Sequence, residues 1–145
     1  MLGVLLDTHA LYWLVSGEEE LTEEALVAIG ENQESGTLFV SPITAWELSI
    51  ASQKPPIAGR PHLGADPPAR WFREALRATG ASIIAIRQRI SCEAANVVTV
   101  TGHKDPGDCF LIASARVRRV PLITRDQTIH SIAAENARYL GVIGC

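Results

Sequence analysis

The sequence predicts an α/β fold in which helices cover both faces of a central parallel sheet, an α/β/α three-layer sandwich. Residues 2–6 form a continuous apolar run, which is typical of a central strand buried on both faces. Short apolar runs then alternate with longer helical patterns along the chain. Residues 103–126 combine a helix with a short strand, and such a pair is half of a βαβ unit.

The elements follow in order from local sequence signals. Caps are predicted at Thr8, Thr22, Ser41 and Asp105, because their side-chain oxygens can accept from unpaired N–H groups at a helix start. The predicted strands are 2–6, 37–40, 82–86, 120–123 and, at an edge, 139–143. The predicted helices start near Thr8, Thr22, Ser41, Asp66, Ser91, Asp105 and Ile129. Residues 53–68 carry five prolines and two glycines, which favours a surface loop.

Length and composition suit one domain spanning 1–145, with a net charge of -3 that argues against a generally basic nucleic-acid binder. The three cysteines show neither paired nor metal-type spacing, which is typical of a reduced, cytoplasmic chain. Neither a signal peptide nor a membrane span is predicted.

Four acidic residues stand where chemistry is expected. Asp7 and Asp126 end predicted strands, and Asp108 begins a predicted helix, so all three should face the carboxyl edge of a parallel sheet. Glu47 belongs to an apolar helix near that edge. Close carboxylates repel one another, and a hard divalent cation such as Mg²⁺ or Mn²⁺ resolves that repulsion. Such an ion, or a pair of ions, can activate water and stabilise a phosphodiester during in-line displacement.

Three stretches together resemble the PIN-domain ribonucleases, especially the VapC-type toxins of bacterial toxin–antitoxin pairs. They are LLDTHALYWL, SPITAWELSI and HKDPGDCFLIASARVRRVPLITRD, which follow one another along the whole chain. The resemblance implies metal ligation by Asp7, Glu47, Asp108 and Asp126, with support from Thr124. Asp105 matches the first acid of a DPxDR pattern and is expected to act as a cap or a supporting group, like Thr8 beside Asp7.

The same resemblance implies an endoribonuclease toxin that leaves a 5′-phosphate and a 3′-hydroxyl. Its expected partners are an RNA substrate, with transfer RNA as a candidate, a cognate antitoxin whose tail fills the groove, and a second copy in a homodimer. The chain departs from the DPxDR pattern at Cys109, where an arginine is usual. That departure is the one feature favouring an alternative, a catalytically weakened PIN-like protein that only binds a partner.

Each acid also has a plainer interpretation. Asp7 could only cap a helix, Glu47 could pair with an arginine, Asp108 could complete a capping box, and Asp126 could belong to a turn. A phosphohydrolase with an aspartyl nucleophile requires a second aspartate two residues after the first, but this chain has His9 there. A receiver domain requires paired acids after the first strand, where this chain has only Asp7. The remaining candidates are interpreted as surface or supporting histidines (His9, His103), packing or interface tryptophans (Trp13, Trp46, Trp71) and solvated arginines with RNA-backbone contact as the alternative (Arg87, Arg89, Arg116, Arg118, Arg119).

Overall fold

The computed structural model describes residues 3–55 and 59–145, and it confirms the predicted fold class. Five strands form one sheet in the order β3-β2-β1-β4-β5, and every pairing is parallel. The strands are β1 (Val4–Leu6), β2 (Leu38–Val40), β3 (Ser82–Ile83), β4 (Leu122–Thr124) and β5 (Val142–Gly144). The predicted last strand lies at an edge, as expected.

Helices connect the strands and cover the sheet. They are α1 (Thr8–Ser16), α2 (Glu23–Ser35), α3 (Pro42–Ser52), α4 (Pro68–Thr79), α5 (Gln88–Thr101), α6 (Pro106–Arg118) and α7 (Gln127–Glu135). The predicted caps at Thr22, Ser41 and Asp105 are confirmed, since each side chain accepts a hydrogen bond from the first turn of its helix.

Several boundaries differ from the sequence prediction. Asp7, not Thr8, caps α1, because the Asp7 carboxylate accepts from the Ala10 N–H and Thr8 already lies in the helix. The edge strand begins at Val142, three residues later than predicted, and α5 begins at Gln88, three residues before its predicted start near Ser91. Helix α7 begins at Gln127 because Asp126 caps it. Leu2, which was predicted to open β1, lies outside the described residues.

Two apolar clusters lie on opposite faces of the sheet. In β1, Val4 and Leu6 belong to one cluster and Leu5 to the other, and all three are fully buried. Alternate strand residues point to opposite faces, so β1 packs against helices on both sides. Trp71 is buried in the first cluster as predicted, whereas Trp46 is 48% exposed. In the parts of the chain that the structure describes, no helix combines the length and apolarity needed to cross a membrane.

The strand order fixes where a site can form. From β1 the chain adds β2 and β3 on one side of the sheet, and then returns to add β4 and β5 on the other. The connections therefore diverge between β1 and β4, which leaves a crevice at the carboxyl ends of these strands. Asp7 directly follows β1, and Asp126 lies two residues after β4.

Candidate active site

A cleft of about 390 Å³ opens at this crevice and is lined by carboxylates from several elements. Its acidic residues are Asp7 after β1, Glu47 of α3, Asp105 and Asp108 at the start of α6, and Asp126 at the start of α7. The structure thus brings all four predicted site acids to one cleft, together with the predicted supporting residues Asp105 and Thr8.

Asp7 is the most deeply placed of these acids, with 7% of its surface exposed. Its Oδ1 accepts a hydrogen bond from the Ala10 N–H at 2.7 Å. Burial raises the pKa of Asp7, while the Thr124 hydroxyl and the Ala10 N–H lower it, and the nearby Asp108 raises it further. Asp7 therefore caps α1, and its carboxylate also lines the acidic cleft.

Glu47 reaches the cleft from the partly buried side of α3. The Thr8 hydroxyl donates to Glu47 Oε1 at 2.6 Å, and Thr8 Oγ1 lies 3.0 Å from the hydroxyl of the buried Thr44. Burial raises the pKa of Glu47 to about 7, against the hydrogen bond from Thr8, and the charges of Asp108 and Asp105 add to the increase. The described residues place no arginine or lysine in salt-bridge contact with Glu47, so the structure does not support the paired-acid interpretation.

Asp108 is held by a histidine that the sequence placed only near the site. His103 Nε2 lies 2.7 Å from Asp108 Oδ2, and both side chains are about one-fifth exposed. Burial raises the pKa of Asp108, the hydrogen bond with His103 lowers it, and Asp105 and Asp126 raise it. The Asp108 N–H donates to Asp105 Oδ1 at 3.0 Å, so Asp105 caps α6 and lies next to Asp108.

Asp126 and Thr124 form the β4 side of the cleft. The Asp126 N–H donates to Thr124 Oγ1 at 3.1 Å, and Asp126 Oδ1 accepts from the Ile129 N–H at 2.9 Å. Thr124 is fully buried, and Asp126 is exposed. Asp126 therefore caps α7, and its carboxylate adds negative charge that raises the pKa of Asp108.

The tightest acidic group is smaller than the predicted ligand set. One carboxylate oxygen from each of Glu47, Asp105 and Asp108 lies within 4.8 Å of the others, which is close enough to share an ion. Asp105 therefore lies beside two predicted ligands, although the resemblance implied only a cap or a supporting role for it. Asp7 and Asp126 line the same cleft outside this group.

Sequence reasoning missed two features of the site. Gly107 lies against Glu47 so closely that a Cβ atom there would meet Glu47 Oε2 at 2.5 Å. Arg125 lines the cleft with its guanidinium 4.3 Å from the ring centre of Trp13, and it donates to the backbone oxygens of Cys145 and Glu20. The glycine between two acids in DPGD was a usable signal, whereas the position of Arg125 depends on packing between distant segments.

A known protein family matches most of the chain. The family model described as PIN domain matches residues 4–135, so the chain belongs to the PIN domain family. The members of this family are generally nucleases. No curated protein sequence matches the chain.

Solved structures share the fold at low sequence identity. The DNA-bound VapBC complex from Salmonella typhimurium contains a chain 14% identical, with a TM-score of 0.64 over 99% of this chain and 98% of that one. A toxin–antitoxin complex from Klebsiella pneumoniae is 24% identical, with a TM-score of 0.59 over 97% and 96%. VapBC-5 from Mycobacterium tuberculosis is 16% identical, with a TM-score of 0.62 over the full length of both chains.

Proposed function

We propose that this chain is a metal-dependent endoribonuclease and the toxin of a toxin–antitoxin pair. The observation that carries the proposal is the convergence of five carboxylates on one cleft at the switch point of the sheet. Membership in the PIN domain family supports nuclease chemistry. The similar folds found in toxin–antitoxin complexes support the toxin assignment, and they do so through fold alone.

The side chains present fit a divalent cation. The pKa values of Asp7, Glu47 and Asp108 are all raised, so the acids are destabilised as a set of anions in this cleft. Oxygen-only donors are those that Mg²⁺ and Mn²⁺ prefer, and we propose Asp7, Glu47, Asp108 and Asp126 as the ligands with Asp105 beside them. A bound cation would supply Lewis acidity that lowers the pKa of water and offsets phosphodiester charge.

The chain's own residues would then divide the remaining work. His103 orients Asp108 through the bond to Oδ2, and Thr8 fixes Glu47 through Oε1, so both carboxylates are held before substrate arrives. In the metal-free chain, burial raises the pKa of Glu47 to about 7, and a bound cation would favour the ionised carboxylate that serves as a ligand. Arg125 also lines the cleft, and its contacts with Cys145, Glu20 and Glu19 hold these distant segments beside the acids.

A second, more apolar groove adjoins the acidic cleft and suits a protein partner. Its volume is about 560 Å³, and it shares Thr8, His9, Trp13, Glu47 and Asp105 with the cleft. Trp46 and Ile50 of α3 line it and are 48% and 44% exposed. We propose that an antitoxin tail lies in this groove and reaches the acids, and that aromatic surface on α3 also serves the proposed homodimer.

The test is cleavage of a mixed pool of structured RNA, transfer RNA included, with Mg²⁺ or Mn²⁺ and with EDTA. We expect metal-dependent cleavage, and Asp7→Asn should lower its rate about a hundredfold or more, because losing one preorganised group commonly has that effect. Asp66→Asn is the matched control, since Asp66 only makes a 3.9 Å surface pair with Arg70. Equal background with wild type and Asp7→Asn would contradict catalysis on these substrates.

The alternative of a partner-binding protein without activity is favoured only by Cys109. That side chain is 4% exposed, and its Sγ lies 3.2 Å from the His103 carbonyl oxygen. Cys109 therefore fills a buried position behind the cleft and leaves the acids in place. Antitoxin binding without metal-dependent cleavage of any RNA in the pool would favour this alternative.

A further inference from the structure

A basic pocket lies at the far end of α6 from the acids. Its volume is about 630 Å³, and it is formed by the start of α5, the end of α6 and the segment before β5. Four arginines line it, with Glu93 as the one acidic residue. They are Arg89, Arg116, Arg119 and Arg138. The pocket is thus strongly positive on a chain whose net charge is -3.

One of these arginines is committed to the fold. Arg116 Nε donates to Glu93 at 2.9 Å, its NH1 donates to the Tyr139 carbonyl oxygen at 2.6 Å, and its guanidinium lies 3.8 Å from the Tyr139 ring centre. The sequence assigned Arg116 to a solvated face, and the structure corrects this, because the side chain is only 29% exposed. Arg116 therefore already pairs with the single acid of the pocket.

The other three arginines are open to a ligand. Arg89, Arg119 and Arg138 are exposed, and within residues 3–55 and 59–145 none of them forms a salt bridge. Unpaired guanidinium groups around one concave surface repel one another, and an anion with several oxygens relieves that repulsion. Phosphate fits this requirement because guanidinium groups bind it in a bidentate manner.

Arg119 holds an unusual backbone conformation. Its φ is 57°, and it is the one non-glycine residue with positive φ in the described part of the chain. Four other helices end in this conformation with glycine, at Gly17, Gly36, Gly80 and Gly102. Glycine takes this conformation without steric cost, whereas an arginine pays a backbone strain there. In return, Arg119 places a charged side chain at the pocket that a glycine would lack.

We propose that this pocket is a secondary binding site for the phosphate backbone of the RNA substrate. Helix α6 has 13 residues, so its two ends, one at the acids and one at the pocket, are roughly 20 Å apart. A strand of several nucleotides, or a folded RNA, spans that distance. The pocket would then anchor RNA electrostatically while the acids act on it elsewhere, a division that suits an acidic protein with a polyanionic substrate. This inference rests on the proposed function.

The test measures RNA binding separately from cleavage. Fluorescence anisotropy with a labelled 24-nucleotide RNA in EDTA, over a range of NaCl concentrations, compares wild type with the triple variant Arg89→Ala, Arg119→Gly, Arg138→Ala. We expect at least tenfold weaker binding and a salt slope reduced by about 2, since each single-strand phosphate contact contributes about 0.7. Arg119→Gly alone should weaken binding while keeping or raising Tm, which separates loss of binding from loss of folding.

The control is a second variant that removes the same number of arginines from another surface. The variant Arg70→Ala, Arg73→Ala, Arg77→Ala removes three arginines from α4 and should leave the RNA affinity within about twofold. Equal weakening by both triple variants would overturn the proposal, because it would indicate general attraction only. Unchanged RNA binding by the pocket variant would also overturn it, whether or not binding to poly-L-glutamate falls. Displacement of RNA by equimolar AMP would indicate a mononucleotide site and contradict a backbone anchor.

The outcomes also distinguish this inference from the proposed function. Cleavage of RNA by the wild type with no loss of affinity in the pocket variant would reject the secondary site alone. Salt-dependent RNA binding that is lost in the pocket variant, without metal-dependent cleavage by the wild type, would support the secondary site and reject the nuclease.

Discussion

At the scale of single residues, Glu47 links protonation to folding. Its pKa in the folded chain is about 7, against an ordinary value of 4.5, so the folded state holds the proton more tightly between these values. The stability contributed by this group is therefore greatest at low pH and falls as pH rises from about 4.5 to about 7. In metal-free protein, Glu47→Gln should raise Tm at pH 8 and change it much less at pH 5.

Thermal unfolding in EDTA at both pH values measures this effect, with Glu34→Gln on the exposed side of α2 as control. The quantity of interest is the Tm difference between variant and wild type. If that difference is the same at pH 5 and pH 8 for Glu47→Gln, then the Glu47 carboxylate is not the destabilised group that its burial indicates.

His103 acts on the site through Asp108. The 2.7 Å contact fixes one Asp108 oxygen, and losing such a partner typically weakens metal affinity by 10–100-fold. We expect His103→Ala to raise the Kd for Mn²⁺ by about tenfold, and His103→Gln to raise it less because the amide can still donate. Isothermal titration calorimetry measures both values, and His62→Ala, on the exposed loop before α4, serves as control. An unchanged Kd in His103→Ala would leave His103 without a role at the site.

At the scale of elements, the approach of α3 to α6 sets the position of Glu47. A Cβ at position 107 would meet Glu47 Oε2 at 2.5 Å, so Gly107→Ala should push that carboxylate away from Asp105 and Asp108. Because the displaced atoms end a flexible side chain, we expect a small change in the free energy of unfolding and a severalfold higher Kd for Mn²⁺.

Gly30 provides the matched substitution on another helix. Among the residues that the structure describes, none has an atom within 4 Å of a Cβ at this exposed position of α2, so Gly30→Ala should stabilise the chain by up to about 1 kcal/mol and leave the metal affinity unchanged. Chemical unfolding and calorimetry on both variants make the comparison. Equal metal affinity in the two variants would show that α3 and α6 do not set the spacing of the acids.

The contact between Gly107 and Glu47 is a feature of the site that the sequence did not predict. Asp7, Asp108 and Asp126 could be placed at one sheet edge, because strand ends and helix starts share that edge in any parallel α/β fold. The proximity of Glu47 to Asp105 could not be predicted, since it depends on how two helices pack across Gly107. The bond between His103 and Asp108 likewise depends on the path of a loop, for which no periodic pattern exists.

At the scale of the whole molecule, the fold separates opposite charges along one helix. The start of α6 carries Asp105 and Asp108 in the acidic cleft, and its end carries Arg116 and Arg119 at the basic pocket. The acidic cleft alone would repel RNA, because its five carboxylates outnumber its one arginine, Arg125. A cation in the cleft and arginines at the far pocket would together make the chain attractive to RNA despite its net charge of -3.

Metal binding should therefore stabilise the entire chain. The proposed ligands come from the segment after β1, from α3, from α6 and from the segment between β4 and α7, so the complete set exists only in the folded state. At a Mn²⁺ concentration of 100 times Kd, the added free energy is about 2.7 kcal/mol, which corresponds to a Tm increase of roughly 5–10 °C.

Asp7→Asn keeps a side-chain oxygen for the α1 cap but removes a proposed ligand, so its metal-free Tm should equal or exceed that of wild type, while the Mn²⁺-induced increase is largely lost. Differential scanning fluorimetry with Mn²⁺, with EDTA, and with NaCl at matched ionic strength separates specific binding from screening, and Asp66→Asn should respond as wild type does. The same increase from NaCl alone, or an undiminished Mn²⁺ response in Asp7→Asn, would mean that these acids do not bind metal as one site.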